Sequence, residues 1–379
     1  MSTWAEWFAE QRAGREDAGL QRALRPRAAD EDVIDLANND YLGLSCHPEV
    51  RRAAADAALR WGAGAGASRL VTGTTTLHAE LERELAEFTD HEAALVFSTG
   101  YHANLSAVTA LADKQSLIVS DAHVHASLID AARLSRAAIE VVPHNDVAAV
   151  RAALAGAGGR RALVLTESVF SVLGDAAPLP DLAEVCADHD ALLVVDEAHG
   201  LGVVGEGGRG SVHANGMAGD PHVVMTATLS KSLGAMGGAV LGSAALVDHL
   251  VNRARPFIFD TGLAPAPTAA ALTALSCLRR QPARPSQIHQ RGGELADRLG
   301  VPRSAGAVLS VPMPSPQVAI AAQAAALAEG VRVGCFRPPS VPDGISRLRI
   351  TTHVGLDDDR WEHAVDVLTH VVKDHRGSP

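Results

Sequence analysis

Lysine is rare in this chain, and one lysine lies where it could react. The 379 residues include 33 lysines and arginines together, yet lysine occurs only at positions 114, 231 and 373. A buried lysine can lose its proton and attack an aldehyde, whereas arginine stays protonated. Lys231 follows the apolar segment 223–225 and lies near the hydroxyl of Thr228. These surroundings favour a Schiff-base lysine over an ordinary loop lysine.

A second candidate is the Ser-Thr-Gly-Tyr turn at residues 98–101. The apolar segment 93–97 before it predicts a strand, and the apolar residues up to position 112 predict a helix. A helix that begins at such a turn presents free N–H groups and the positive end of its dipole, which together bind anions. Gly100 and Tyr101 are the candidate donors. A plain helix cap is the alternative interpretation.

Asp196 ends the apolar segment 191–196, so its carboxylate is partly desolvated and should have a cationic partner. His199 follows three residues later. The glycines of 200–205 match the G-x-G-x-x-G pattern of dinucleotide-binding loops, but the next residues, Glu-Gly-Gly-Arg-Gly, cannot open the helix that such loops require. We therefore predict a site at Asp196 and His199 that does not bind a dinucleotide.

The four features together match the needs of pyridoxal phosphate. This cofactor requires N–H donors for its phosphate, a carboxylate to keep its ring nitrogen protonated, a partner for its ring oxygen and a lysine for its aldehyde. The turn 98–101, Asp196, His199 and Lys231 supply one group for each need.

Composition narrows the class of protein. Apolar residues make up 47% and charged residues 20%, which is typical of a globular chain. The net charge of -11 argues against a general nucleic-acid or anionic-membrane surface. No run of 18 apolar residues occurs, and residues 1–10 are too charged for a signal peptide, so we expect a cytoplasmic protein without a membrane segment.

Metal binding is not indicated. The cysteines are far apart and form no Cys-x-x-Cys pair, at positions 46, 186, 277 and 335. His123 and His125 form a His-x-His pair that could chelate a metal, but without a nearby third ligand such a pair is more often structural. We predict no metal site.

The order of elements predicts an α/β fold. Strand-like apolar segments without polar alternation are separated by helical patterns, at residues 93–97, 117–119, 139–142, 162–166 and 191–196. This pattern indicates a mostly parallel sheet that helices cover on both faces, with ligands at the carboxyl ends of the strands. We predict an N-terminal arm at 1–45, a large cofactor-binding domain at 46–250 and a small C-terminal α+β domain at 251–379.

Eight motifs in order resemble one known family. They are NDYLGL (39–44), GAGASRLVTG (64–73), FSTGY (97–101), HAS (125–127), TESVFS (166–171), DEAH (196–199), TLSK (228–231), and RPP (337–339) with RLR (347–349). On these motifs the chain is similar to the α-oxoamine synthases, which are pyridoxal-phosphate enzymes of fold type I. The resemblance covers residues from about 15 to about 370. It implies a large domain with a seven-stranded, mostly parallel sheet.

The resemblance implies a role for each matching residue at the cofactor. Lys231 would hold pyridoxal phosphate, Asp196 would pair with its ring nitrogen, His199 would hydrogen-bond the ring oxygen and His125 would stack on the ring. These four would also be the catalytic residues. The cofactor-binding set is completed by residues near the phosphate and the ring, namely Gly100, Tyr101, Thr228 and Ser171.

The resemblance also implies an amino-acid site and an acyl site. Arg349, aided by Asn39 and Ser171, would bind the carboxylate of the amino acid, because a guanidinium fork suits a carboxylate. Arg22 would meet the acyl substrate, with Arg25 as the alternative.

The implied reaction is a decarboxylative condensation of an amino acid with an acyl thioester. Residues 68–73 and 257–262 resemble the branch that condenses L-alanine with a pimeloyl group, carried either by coenzyme A or by acyl carrier protein. Three alternatives stay open: a glycine-using relative, an aminotransferase, and a noncatalytic regulator that binds the cofactor. The acidic charge and the lack of a DNA-binding segment argue against the third. The family implies a homodimer with the active site at its interface.

The chain departs from the family pattern at three positions. Asn38 stands where serine is usual, Ala67 where many members have glycine, and Val124 where serine is commoner. Asn38 and Ala67 would line the substrate entrance, so they bear on the choice of acyl group and leave the core chemistry unchanged.

Overall fold

The computed structural model describes residues 3–338, 340–341 and 343–376. Pro339, the last residue of the RPP motif, lies outside them. The strands are β1 (Ile34–Asp35), β2 (Ala93–Phe97), β3 (Leu117–Asp121), β4 (Ala138–Val142), β5 (Ala162–Glu167), β6 (Leu192–Asp196), β7 (Val223–Thr228), β8 (Gly238–Gly242), β9 (Val308–Pro312), β10 (Val331–Arg332), β11 (Gly334–Phe336) and β12 (Arg347–Thr351).

The helices connect these strands and cover their sheets. They are α1 (Trp4–Asp17), α2 (Pro48–Trp61), α3 (Thr76–Thr89), α4 (Gly100–Leu111), α5 (Ala126–Ser135), α6 (Val147–Ala155), α7 (Leu179–Asp188), α8 (Ser211–Ala214), α9 (Ala244–Arg253), α10 (Arg255–Phe259), α11 (Pro265–Arg280), α12 (Arg284–Leu299), α13 (Pro316–Ala328) and α14 (Asp358–Arg376). No helix within the described ranges is long and apolar enough to cross a membrane.

Seven of the described strands form the large sheet, in the order β2-β8-β7-β6-β5-β3-β4. Only β8 runs antiparallel to its neighbours, so the predicted mostly parallel, seven-stranded α/β fold is confirmed. The strands are apolar on both faces because helices pack on both. Along β5, Val164 belongs to one core cluster, whereas Leu163 and Leu165 belong to the other.

Strand β8 was not predicted. Its first residue, Gly238, belongs to a run of small residues that carries no strand signal, yet the strand pairs with β2 and β7. A Cβ at Gly238 would lie 2.4 Å from the carbonyl oxygen of Thr99 and 2.6 Å from the Cα of Gly100. The small residue is needed there because β8 passes against the backbone of the anion-binding turn.

A smaller unit follows the large sheet. Its antiparallel sheet has the order β11-β12-β9, and its core cluster includes Leu295, Leu348 and Trp361. Ile34 of β1 joins the same cluster, and β1 pairs in parallel with β10. Helix α11, in contrast, packs with the large sheet through residues such as Leu275. The domain boundaries at 45 and 250 stay predictions.

Helix α1, at the start of the N-terminal arm, buries none of its residues. Trp4, Trp7 and Phe8 contact one another on α1, with ring centroids 5.2 to 6.1 Å apart. This aromatic cluster faces outward in the single chain.

We predict that Gly238→Ala destabilises the protein. The added methyl group would force the turn at Thr99 away from β8, and overpacking of this kind lowers the free energy of unfolding by about 1–3 kcal/mol. Chemical denaturation of both proteins measures the difference. Gly14→Ala is the control, because a Cβ at Gly14 meets no atom within 4 Å and alanine is favoured over glycine inside helix α1, so we expect no loss of stability. Equal effects of the two substitutions would contradict the close approach.

Candidate active site

A cavity of about 210 Å³ opens at the carboxyl ends of the central strands. It brings together seven of the predicted site residues, Gly100, Tyr101, His125, Asp196, His199, Thr228 and Lys231. Thr99, Asn104, Ser127, Glu167, Ala198, Ala227 and Ser230 complete its lining. The position agrees with the rule that open α/β sheets bind ligands beyond the carboxyl ends of their strands.

Lys231 lies in the loop between β7 and β8. The loop closes on itself, with the N–H of Gly234 donating to the carbonyl of Lys231 at 2.8 Å and that of Leu229 to Gly237 at 3.0 Å. Burial lowers the pKa of Lys231 to about 8, although the charges of Asp196 and Glu167 oppose the shift. A sizeable fraction of the amine is therefore neutral near pH 7, as a nucleophilic lysine requires.

Asp196 accepts hydrogen bonds with both carboxylate oxygens. Its Oδ1 accepts the N–H of Ala198 at 2.8 Å, and its Oδ2 accepts the side-chain amide of Asn104 at 2.7 Å. That amide also donates to the hydroxyl of Ser127, while its oxygen accepts from Thr226. The network holds the carboxylate at the floor of the cavity, where it is 5% exposed.

Asn104 was missed by the sequence analysis. It lies on α4, one turn after the anion-binding turn. Apart from Ser106, the other buried residues of this helix are apolar. A buried amide in such a helix was the available signal, because buried polar side chains require partners.

The turn before α4 has the geometry expected of an anion site. Thr99 caps the helix by accepting the N–H of His102 at 3.1 Å, which leaves the first N–H groups, at Gly100 and Tyr101, without partners inside the helix. Thr228 lies against Gly100, since a Cβ built there would be 3.0 Å from the Thr228 hydroxyl. These groups can hold a phosphate together.

His125 caps α5 and also lines the cavity. Its Nδ1 accepts the N–H of Ser127 at 3.2 Å and lies 2.8 Å from the hydroxyl of that residue. Ser127 in turn contacts Asn104. The two roles of His125 are therefore compatible, because the cap fixes the ring at the edge of the cavity.

A chain of hydrogen bonds runs from His199 to Arg349. The hydroxyl of Tyr41 lies 2.7 Å from Nδ1 of His199 and donates to the amide oxygen of Asn39 at 3.1 Å. Arg349 donates to the same oxygen at 3.1 Å through Nη1 and to the carbonyl of Ser171 at 2.8 Å through Nε. Burial, and then the charges of Lys231 and Arg349, lower the pKa of His199 well below its ordinary value, so its ring is neutral.

Four predicted residues lie outside the lining of this cavity in the described chain. Asn39, Ser171 and Arg349 adjoin it through Tyr41 and His199, and Ser171 contributes backbone groups to its contacts with Arg349 and Glu167. Arg22 lies at a second cavity of about 340 Å³. There it donates to the hydroxyl of Ser340 at 2.7 Å, with Leu20, Cys335, Phe336, Arg337 and Pro338 as the other lining residues.

Glu167 is a further buried acid that the sequence analysis did not assign. It ends β5 directly opposite Asp196 on β6, and its Oε2 accepts the N–H of Ser171 at 3.2 Å. Its Oε1 is buried without a hydrogen-bond partner among the described residues. Burial, and then the charge of Asp196, raise the pKa of Glu167 well above its ordinary value, and the charge of Lys231 opposes this shift.

These residues fit pyridoxal phosphate. The N-terminal turn of α4 with Thr228 suits the phosphate, and Asp196 suits a protonated ring nitrogen. The lowered pKa of Lys231 suits an aldehyde. A Cβ at Gly100 would collide with Thr228, and a Cβ at Gly238 would collide with the backbone of Thr99 and Gly100. Only glycine therefore fits at these two positions beside the turn.

Comparison with known proteins gives the class first. Residues 31–368 match the family model of class I and II aminotransferases. A serine palmitoyltransferase of Sphingomonas wittichii, 29% identical, superposes with a TM-score of 0.91 and covers 99% of each chain. A serine palmitoyltransferase structure with pyridoxal phosphate bound superposes with a TM-score of 0.90 at 28% identity. The chain is therefore a fold-type I pyridoxal-phosphate enzyme, and the predicted cofactor is confirmed.

Closer relatives narrow the class. The 8-amino-7-oxononanoate synthase of Mycobacterium marinum is 56% identical over 367 residues, which cover 97% of this chain and 94% of the relative. That of Mycobacterium leprae is also 56% identical, over 372 residues. A solved 8-amino-7-oxononanoate synthase of Francisella tularensis superposes with a TM-score of 0.76 at 27% identity, over 90% of this chain and 98% of that one. The chain belongs to the 8-amino-7-oxononanoate synthases, an acyltransferase family.

We predict that Lys231 reacts with pyridoxal phosphate near neutral pH. With a pKa of about 8 its neutral fraction at pH 7.5 exceeds that of an ordinary lysine side chain by roughly two hundredfold. Borohydride reduction of the protein reconstituted with pyridoxal phosphate, followed by peptide mass spectrometry, should find the label at Lys231.

Two controls accompany this measurement. Nα-acetyl-lysine in the same buffer should be labelled far more slowly, and its labelling should rise only near its own pKa. Lys231→Arg keeps a positive charge but cannot form a Schiff base. Undiminished labelling of this variant would show that another amine holds the cofactor.

Proposed function

We propose that the protein condenses L-alanine with a pimeloyl thioester to give 8-amino-7-oxononanoate, carbon dioxide and free thiol, a step of biotin biosynthesis. The relatives at 55–56% identity over 97% of the chain support the reaction. The observation that carries the proposal is that Lys231, Asp196 and the first turn of α4 share one cavity. Each is one of the groups that a pyridoxal-phosphate enzyme needs.

The cofactor supplies an electron sink for negative charge at the Cα atom of the amino acid. Asp196 stabilises that charge by keeping the ring nitrogen protonated. Its carboxylate is fixed by Asn104 and by the N–H of Ala198, so it does not reorient during the reaction.

Lys231 moves the proton at Cα. An amine with a pKa of about 8 can accept a proton near neutral pH and return it later, so one group can serve as both base and acid. Glu167 and Asp196 lie near enough to favour the charged form of this amine, which prevents its pKa from falling further.

Arg349 binds the carboxylate of L-alanine in this proposal. The side chain is 5% exposed and its Nε and Nη1 already donate to Ser171 and Asn39, which fixes the plane of the guanidinium. The remaining N–H donors are those that a carboxylate can meet. The guanidinium also lies over the ring of Phe336, with 5.3 Å between the guanidinium carbon and the ring centroid.

We assign two tasks to His199 and His125, which are to polarise the acyl carbonyl and to contact the cofactor ring. His199 is neutral and bound to Tyr41 through Nδ1, so its other nitrogen is the one that can serve the cavity. Arg22, together with Arg337 at the second cavity, offers positive charge for an anionic acyl carrier or for the carboxylate of the pimeloyl chain.

We extend the proposal to a homodimer in the cytoplasm. Large apolar side chains are exposed in the single chain at Leu70, Val71, Met236 and Phe259, and a second copy of the chain could cover them. Sedimentation at micromolar concentration should give a dimer. A monomer would count against the proposed interface.

The proposed reaction has a direct test. The purified protein should show a visible absorption band that shifts on addition of L-alanine, and free thiol should appear only when L-alanine and pimeloyl-CoA are both present. Turnover that is faster with glycine than with L-alanine would move the protein to a glycine-using branch. A colourless protein that cannot take up pyridoxal phosphate would end the proposal.

Arg349→Lys tests the amino-acid site. Lysine keeps the charge but loses the fork, so we expect the KM for L-alanine to rise by at least about tenfold, or about 1.4 kcal/mol, with a smaller change in kcat. Steady-state kinetics measure both constants. Arg303→Lys is the control, because Arg303 forms an exposed pair with Asp297 on the surface. An unchanged KM in Arg349→Lys would contradict this role for Arg349.

A further inference from the structure

His144 lies between two carboxylates just after β4. Its Nδ1 is 2.9 Å from Oδ1 of Asp121, and its Nε2 is 2.8 Å from Oδ2 of Asp175. A neutral imidazole has one N–H group, so it can donate to only one of these acceptors. The geometry therefore requires the doubly protonated ring, with one N–H group directed at each carboxylate.

The ring is also held on its faces and edges. It stacks on His123 at a centroid distance of 3.9 Å and an angle of 20°, and it meets Phe170 edge-on at 4.4 Å. Burial opposes the charged form, but the hydrogen bonds and charges of the two carboxylates raise the pKa of His144 to about 9. Burial, and then the charge of His144, lower the pKa of His123, so the stacked pair carries one positive charge.

The two carboxylates belong to the two loops that carry assigned site residues. Asp121 ends β3 and accepts the N–H of His123 at 2.7 Å, two residues before His125. Asp175 follows Ser171, and its carbonyl accepts the N–H of Phe170 at 2.9 Å. His144 is thus the connection between the loop 121–125 and the loop 170–176.

Asn145 reinforces the same connection. Its N–H donates to Asp121 at 2.7 Å, and its side-chain amide donates to Asp175 at 3.1 Å and to the carbonyl of Ala176 at 3.2 Å. Among the described residues, neither His144 nor Asn145 lines the cavity of Lys231. Their effect on the reaction must therefore pass through the loops.

We propose that His144 is a positioning residue, which as an imidazolium between Asp121 and Asp175 sets the separation of the loop that carries His125 from the loop that carries Ser171. The inference rests on the proposed function, in which His125 faces the cofactor ring and Ser171 orients Arg349. Small displacements of groups that position a substrate lower the rate strongly, so a loosened loop costs amino-acid binding and turnover.

We call the contacts of His144 with Asp121 and Asp175 the clamp, and their strength depends on pH. The groups that face His144 are Asp121 and His123 from one loop and Asp175 from the other, and the charge of Asp343 reaches His123. Because the pKa is raised in the folded state, the stabilisation is fully present below the ordinary pKa of about 6.5 and is lost as pH rises through about 9.

His144→Gln removes the charge and one of the two donors, and Asp175→Asn removes one carboxylate with almost no change of shape. The control is His222→Gln, because His222 lies between Asp190 and Asp220 on the surface, with 3.3 and 3.6 Å between their nitrogen and oxygen atoms. Spectral titration of the cofactor-loaded protein with L-alanine gives a Kd for each variant. Visible circular dichroism gives the orientation of the bound cofactor.

At pH 7 we expect His144→Gln to raise the Kd for L-alanine about tenfold and to reduce the dichroism band, with Asp175→Asn intermediate and His222→Gln unchanged. The difference between wild type and His144→Gln should disappear above pH 10, where the wild-type ring is neutral. A Kd within twofold of wild type at pH 7, with an unchanged dichroism band, overturns the inference.

Thermal unfolding of the cofactor-free protein separates this inference from the proposed function. The unfolding midpoint of His144→Gln should lie below that of wild type at pH 6.5 and approach it at pH 10. If wild-type protein gives no spectral response to L-alanine, the proposed function fails. The pH-dependent difference in unfolding midpoint then still tests the role of His144. Equal midpoints at both pH values overturn it.

Discussion

The buried carboxylate of Asp196 is the constraint on which the rest of the site depends. A desolvated negative charge at the end of β6 needs donors, and the fold supplies them from α4 and from the turn after β6. The same charge keeps the pKa of Lys231 from falling further and helps to raise the pKa of Glu167. A change at Asp196 would therefore alter the pKa of both Lys231 and Glu167.

Much of the fold could be predicted because buried parallel strands are apolar throughout and alternate with helices. Strand β8 could not, since its glycines look like a flexible loop until the backbone of Thr99 is placed against Gly238. The order of the strands within the sheet could not be predicted from the sequence either. Glu167 became a site residue only when β5 was placed beside β6, with Glu167 opposite Asp196.

The parts of the site that chemistry demands were predictable from residue type and position, as with Lys231, Asp196 and the turn at Gly100. Asn39 and Arg349 came from the family resemblance, because 310 residues separate them and no local pattern connects them. Asn104 and Tyr41 were missed for another reason. Each acts by fixing a neighbouring side chain, and such support is visible only in three dimensions.

The chain segments that form the site are made at different times during synthesis. All residues that line the cavity of Lys231 lie between positions 99 and 231, whereas Arg349 comes from β12 of the smaller unit. Because the ribosome makes the chain from its N-terminus, every residue that lines the cofactor cavity is synthesised before Arg349. Asn39 and Ser171 are also made before Arg349, so the amino-acid site gains its guanidinium only after the residues of the cofactor cavity have been synthesised.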